Sequence, residues 1–395
     1  MFMANHTQSA ISRKIFVALA MVILSFLIIF ISEKTSFFNL GSSTYSNKPL
    51  TTDGFFFDTY VSVTIYDSKD NYSHDLTTTD DIYSLLETCM NMCKDYENIF
   101  SRTLETSELY KINHNKDFIN GVDTPISNTL ADCINKTLEY SAVFGEKYSI
   151  MSGSLCDIWD FNNAVIPDDK SIASNCISID SYDLAVKNNS LKLSFNIADF
   201  QFSAEKFGYI DIDNNKTNIS LPDPALNLGA SAKGYIAEQL REFLIDNGIQ
   251  DAIIDLGGNI VVIGNKYDDS MYKIGIKKPF SEENQSYAVC QVADMSIVTS
   301  GIYERYFEQD GNIYHHIIDC STGYPADNDI LSVTIITDNS LMADCYSTGC
   351  LLLGKDNAMN LINDTEGVEC IIIDSNYNLL LSDGLTYNND YIVLK

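Results

Sequence analysis

Residues Ile15 to Ile31 form an apolar run interrupted only by Ser25 and preceded by Ser12-Arg13-Lys14. A helix needs about 17 such residues to cross a bilayer. The run is therefore unsuited to a water-facing surface, and it separates a short N-terminus from a long remainder. The basic residues come first, so the positive-inside rule places the remainder outside the cytoplasm. Two fates stay open: an uncleaved anchor, or a signal peptide removed on export. The following residues, Ser32-Glu33-Lys34-Thr35, offer no small-x-small cleavage site, and the first cysteine, Cys89, is too distant for lipid attachment. The expected organisation is a cytoplasmic N-terminus over 1–14, a transmembrane anchor or signal segment over 15–31, a linker over 32–54 and a folded domain over 55–395. The expected location is the cell membrane, with the folded domain extracytoplasmic.

That domain must build its own core. Of the 395 residues, 45% are hydrophobic and 20% charged, the balance of a folded body and not of a disordered chain. The 25 Lys and Arg face 54 Asp and Glu, giving a formal net charge of −29. Such a surface repels phosphate backbones and excludes nucleic acid as a partner. A phosphate-bearing ligand would need local help from a metal ion or backbone N–H groups. The ten cysteines include no C-x-x-C pair, which argues against zinc and thioredoxin-like sites. Cys89 and Cys93, one helical turn apart on an apolar stripe, read as core residues. Export permits disulfides, but the sequence does not fix their pairing.

Along the domain, the aromatic and β-branched run from Phe55 to Tyr66 predicts a strand. Ile82, Leu85, Leu86, Cys89, Cys93, Tyr96 and Phe100 recur at three and four and predict an amphipathic helix. Short strand-like runs alternate with turn signals between Lys192 and Leu221, including a hairpin from Gly208 to Leu221. A helix is expected from Gly234 to Asp246, ended by Gly248, and a strand from Ala252 to Ile263, broken by Gly257-Gly258. Ser332 to Thr337 reads as a strand, and Met342 to Leu353 as a helix closed by Gly354. Frequent hairpins among interspersed helices favour an α+β fold with mixed, largely antiparallel sheets over a doubly wound parallel sheet. No G-x-G-x-x-G follows a strand, so no Rossmann fingerprint is present.

Four constellations carry possible chemistry. Asn227 to Gly234 (NLGASAKG) leads into a helix; its small residues allow close backbone approach, and Lys233 with the helix N-terminus suits an anion. A tight strand-to-helix turn explains it as well. Asp255-Leu256-Gly257-Gly258-Asn259 is a bulge or a ligand contact. His315 and His316 are adjacent on an extended segment, so their side chains should face opposite sides, and either is a structural or a catalytic imidazole. Asp344 and Thr348 share a helix face, as hard oxygen donors for Mg²⁺ or as a helix cap and its neighbour.

The order of these motifs is informative. LGASAKGY, DLGGNIVVIG, TSGIYERYF, HHIIDCSTGYP and ADCYSTGCLLLG together resemble the FAD:protein FMN transferase family (ApbE-like). Phe100 to Asn113 is similar to that family's F-S-T-Y-x-x-x-S-x-L-x-x-x-N segment, and Gly145 to Phe161 to its G-x-x-F-D-x-T-V-G-P-L-x-x-x-W-G-F segment. The resemblance implies an ApbE-like fold and transfer of FMN from FAD to a threonine hydroxyl of an extracytoplasmic acceptor flavoprotein, with Mg²⁺ as cofactor and AMP released. It implies Mg²⁺ ligands at Ala230, through its backbone oxygen, Asp344 and Thr348, and a catalytic His316 that activates the acceptor hydroxyl. It further implies flavin contacts at Phe57, Lys147, Tyr148, Ser149, Asn227, Lys233 and Ile318. Several positions depart from the pattern: Asp58 stands for Gly, Thr103 for an aromatic, Tyr148-Ser149 for F-D, Met151 for Thr, Asn227 for Asp and Cys320 for Pro. The alternatives are Mg²⁺-dependent FAD hydrolysis to FMN and AMP, a non-catalytic FAD-binding surface protein, and an anchored interaction protein without a ligand.

Overall fold

The computed structural model describes residues 49–66, 79–208, 210–211, 216–217, 221–266, 270–281 and 285–395. The apolar run expected to anchor the chain, 15–31, lies outside the described residues. No helix among the described residues is long and apolar enough to cross a membrane.

The chain builds an α+β fold around an eight-stranded sheet. Its strands are Leu50–Phe56, Thr59–Ile65, Ala252–Leu256, Asn259–Ile263, Ser296–Gly301, Ile330–Thr337, Val368–Asp374 and Leu379–Leu381. They lie side by side in that order, and each pair is antiparallel. In such a meander every second connection falls at the same end. The reversals at 57–58 and 257–258 and the long excursion from 302 to 329 are therefore neighbours, although some two hundred residues separate the first two.

Both faces of the sheet are covered. Val333, Ile335, Cys370 and Ile372 join a core with the helices, while Ile336, Ile371 and Ile373 join a second core against a smaller sheet. That smaller sheet orders Tyr272–Lys277, Ser286–Val292, Tyr391–Leu394 and Leu385–Asn388, with one parallel pair in its middle. This double burial is why Val368–Asp374 reads as a continuous apolar run and not as an alternation. The helix Thr79–Phe100 buries Ile82, Leu86, Cys89, Cys93 and Phe100, as its periodicity predicts. All ten cysteines are free thiols.

Three local expectations change. The strand expected from Phe55 to Tyr66 is a hairpin, so residues 50–54, assigned to the linker 32–54, belong to the sheet. Its two-residue turn holds Phe57 and Asp58 at φ 55° and 58°, a type I′ geometry without the glycine that usually marks it. The break at Gly257-Gly258 is also a complete reversal, with φ 64° and 90°. Finally, Ile197–Lys206 is a helix, not a strand. Asn196 caps it by accepting from the N–H groups of Ala198 and Asp199. The hairpin expected after it pairs Ile210–Asp211 with Lys216–Thr217; residues 209, 212–215 and 218–220 of it lie outside the described ones.

Candidate active site

At the end of the sheet where these reversals meet, the structure forms a cavity of about 680 Å³. Phe57, Lys147, Tyr148, Ser149, Asn227, Ala230, Lys233, His316, Ile318, Asp344 and Thr348 all line it. Five separate stretches of chain thus bring together every site residue expected from the sequence. The cavity size is ordinary for a cofactor-sized ligand.

Two helices meet at the cavity: Ala232–Asp246 with its N-terminal end, and Ser340–Leu353 with the face that carries Asp344 and Thr348. Gly234 permits the approach: a Cβ there would lie 2.4 Å from the Ser340 carbonyl oxygen and 2.7 Å from the Asp344 Cβ. Asp344 does not cap its own helix, which Asn339 caps by accepting the Met342 N–H. Its carboxylate instead accepts the Gly234 N–H at 2.9 Å and so caps the neighbouring helix. Burial raises the Asp344 carboxyl above the usual range, while Lys233 and the Gly234 N–H pull the other way.

The other oxygen donors are held as firmly. The Tyr148 hydroxyl, itself buried, donates to the Ala230 carbonyl at 3.2 Å. Thr348 Oγ1 lies 3.0 Å from Ser300 Oγ, which lies 2.8 Å from Ser347 Oγ. Asn227 Oδ1 accepts the Gly229 N–H at 3.0 Å and orders the turn before the helix. Lys147 is engaged by Asp319, whereas Lys233 forms no ion pair with a described residue. The walls also carry Arg102, Lys277 and Arg305 against Asp58, Asp160, Glu304 and Asp344. In a chain of net charge −29, the cavity is locally balanced.

The two histidines separate as their alternation predicts. His315 is buried, with Nε2 3.1 Å from the Ala326 carbonyl and Nδ1 accepting the Ile317 N–H at 3.3 Å. Both nitrogens are used, so it is a structural imidazole. His316 Nδ1 lies 3.3 Å from the Arg305 carbonyl, which can only accept. Its proton therefore sits on Nδ1, and Nε2 keeps a lone pair on the side chain that lines the cavity.

The ApbE family matches residues 57–372. The chain belongs to the ApbE family. It is 28% identical over 315 residues to the FAD:protein FMN transferase of Klebsiella pneumoniae, covering 79% of this chain and 86% of that protein. It is 27% identical over 315 residues to the FAD:protein FMN transferase of Treponema pallidum, covering 77% and 81%. Among solved structures, the ApbE protein of Thermotoga maritima has the same fold, with a TM-score of 0.68 at 22% identity over 85% of this chain and 97% of that one. The flavin transferase ApbE of Vibrio cholerae gives 0.66 at 20% identity, covering 85% and 97%.

Several cavity residues of this ApbE-family chain escaped the sequence reading. Ser300 lay inside a motif but had no chemistry attached to it. Trp159 and Phe161, with ring centroids 5.9 Å apart, form part of an aromatic wall. Arg305 contributes through its backbone carbonyl, which no side-chain pattern reveals.

The two imidazoles also set a pH dependence. Burial pushes His315 down to about 4, and burial followed by the nearby Arg305 charge pushes His316 down to about 3. The unfolded chain takes up these protons near pH 6.5, before the fold does. Their stabilising contribution is therefore complete above about pH 6.5 and declines as pH falls toward 4. For His315, the step from 6.5 to about 4 amounts to at most about 3 kcal/mol. Subtracting the urea-unfolding stability of His315→Gln from that of wild type should give a difference that shrinks with acid over this window. Parallel pH profiles would show that His315 is not held neutral.

Proposed function

We propose that this chain is an FAD:protein FMN transferase, passing FMN from FAD to a threonine hydroxyl of an acceptor protein and releasing AMP. The observation that carries this reading is one cavity holding three oxygen donors, a lysine outside any ion pair with a described residue, and an imidazole with an open Nε2. The names of the relatives from K. pneumoniae and T. pallidum support it.

Ala230, Asp344 and Thr348 fit Mg²⁺, because all three offer hard oxygens and the buried Asp344 carboxylate gains from a cation. When bound, the ion would offset pyrophosphate charge and stabilise the leaving phosphate. Lys233 and the helix N-terminus beside it bind and orient the phosphates. The acceptor hydroxyl oxygen bonds to the FMN phosphorus, and its proton passes to His316 Nε2. The bond from that phosphorus to the bridging oxygen breaks, and the oxygen departs with AMP. Phe57, Tyr148, Ser149, Asn227 and Ile318 surround the flavin part, with Lys147 held beside them by Asp319.

The reading places this chemistry outside the cytoplasm, on the strength of Arg13-Lys14 ahead of the apolar run 15–31. Incubation of the protein with FAD, Mg²⁺ and a threonine-bearing acceptor domain should give one covalent FMN per acceptor by mass, with equimolar AMP. AMP and free FMN without an adduct would make the protein a hydrolase. Bound FAD without AMP would make it a binding protein.

A further inference from the structure

The hydroxyl groups beside the proposed cation ligands form a chain whose direction is fixed. Ser347 is fully buried, and its Oγ lies 2.9 Å from the Asp344 carbonyl oxygen. A carbonyl cannot donate, so the Ser347 proton points there. Ser347 Oγ then meets Ser300 Oγ at 2.8 Å as an acceptor, which makes Ser300 the donor. Ser300 has spent its single proton, so its 3.0 Å contact with Thr348 Oγ1 takes the proton of Thr348. At the end of the chain, Thr348, which lines the cavity, has its proton turned to Ser300 and both lone pairs of its Oγ1 without a donor among the described residues.

We propose that Ser300 and Ser347 are positioning residues that turn the Thr348 proton away from the cavity and so present its oxygen as a ligand to a divalent cation. The inference rests on the reading of Ala230, Asp344 and Thr348 as a Mg²⁺ site. A freely rotating threonine hydroxyl can point its proton at a cation as easily as its lone pair. Here the preference is set before the cation arrives, at the expense of two serines on different elements. Ser300 comes from the strand Ser296–Gly301 and Ser347 from the helix Ser340–Leu353, so the relay also locks that helix to the sheet. Outer partners of this kind typically change metal affinity by about 10–100-fold when removed.

The test is direct binding of Mn²⁺ to the full protein without FAD, followed by electron paramagnetic resonance and displaced by Mg²⁺. Wild type should bind one Mn²⁺, and Asp344→Asn should weaken that binding more than any other variant tested. Ser300→Ala should weaken it by roughly 10-fold or more. Ser347→Ala, which releases Ser300 from its fixed direction, should weaken it less. Ser300→Thr, which keeps the hydroxyl, should bind like wild type. Because Ser300 acts through Thr348, adding Ser300→Ala to Thr348→Val should cost almost nothing further. Unchanged Mn²⁺ affinity in Ser300→Ala, or full additivity with Thr348→Val, overturns the relay while leaving the cation site standing. No Mn²⁺ binding by wild type overturns both. If Ser300→Ala does not fold, Ser347→Ala decides alone: wild-type affinity there overturns the relay.

Discussion

His316→Ala is expected to retain FAD binding and to lose FMN transfer by roughly 10²-fold or more, the lower range for removal of a general base. The Nδ1 proton is committed to the Arg305 carbonyl, so only Nε2 can accept a proton from the cavity side. Lys233 and the helix N-terminus at Ala232 remain in the variant, which is why FAD should still bind. Burial holds the free imidazole near 3, so it is uncharged throughout the neutral range. The acid limb of kcat/KM should then lie well below pH 6.5, while bound pyrophosphate, being anionic, should move the limb of kcat upward. His315→Ala should cost stability and leave transfer close to wild type, since both of its nitrogens bond to backbone. Single-turnover transfer measured beside FAD affinity separates the two. Transfer lost in His315→Ala and retained in His316→Ala would reverse the assignment.

The sequence revealed the ingredients of this site better than its construction. Residue types and motif order pointed to Asp344, Thr348 and His316, and the sequence pattern located the one helix that carries the first two. The local reversals were harder to see. Phe57-Asp58 carries no glycine, so a type I′ turn passed for the middle of a strand, and five residues of sheet passed for linker. In Ile197–Lys206, Phe200 and Phe202 stand two apart as on a strand, and the Asn196 cap decides for helix. Ala230 can offer the proposed site only a backbone oxygen, and Ser300, the partner of Thr348, lies on a distant strand. Those relations exist only after the meander closes, because they depend on which turns share an end of the sheet.

The structural role of Asp344 as a cap and the chemical role proposed for it can be measured apart. Asp344→Asn keeps an oxygen that can accept the Gly234 N–H, so the helix Ala232–Asp246 stays capped while the charge is lost. This variant should fold with nearly wild-type stability. It should release AMP from FAD at least about 10²-fold more slowly at millimolar Mg²⁺, because the one anionic ligand assigned to the ion has gone. Asp344→Ala removes the cap as well, leaving the buried Gly234 N–H without its partner, a loss of about 1–2 kcal/mol. Its melting temperature should therefore fall below that of Asp344→Asn, while the loss of turnover in the two is similar. Raising Mg²⁺ should recover part of the activity in Asp344→Asn if binding alone is impaired. Wild-type AMP release by a well-folded Asp344→Asn protein would leave Asp344 as a cap and nothing more.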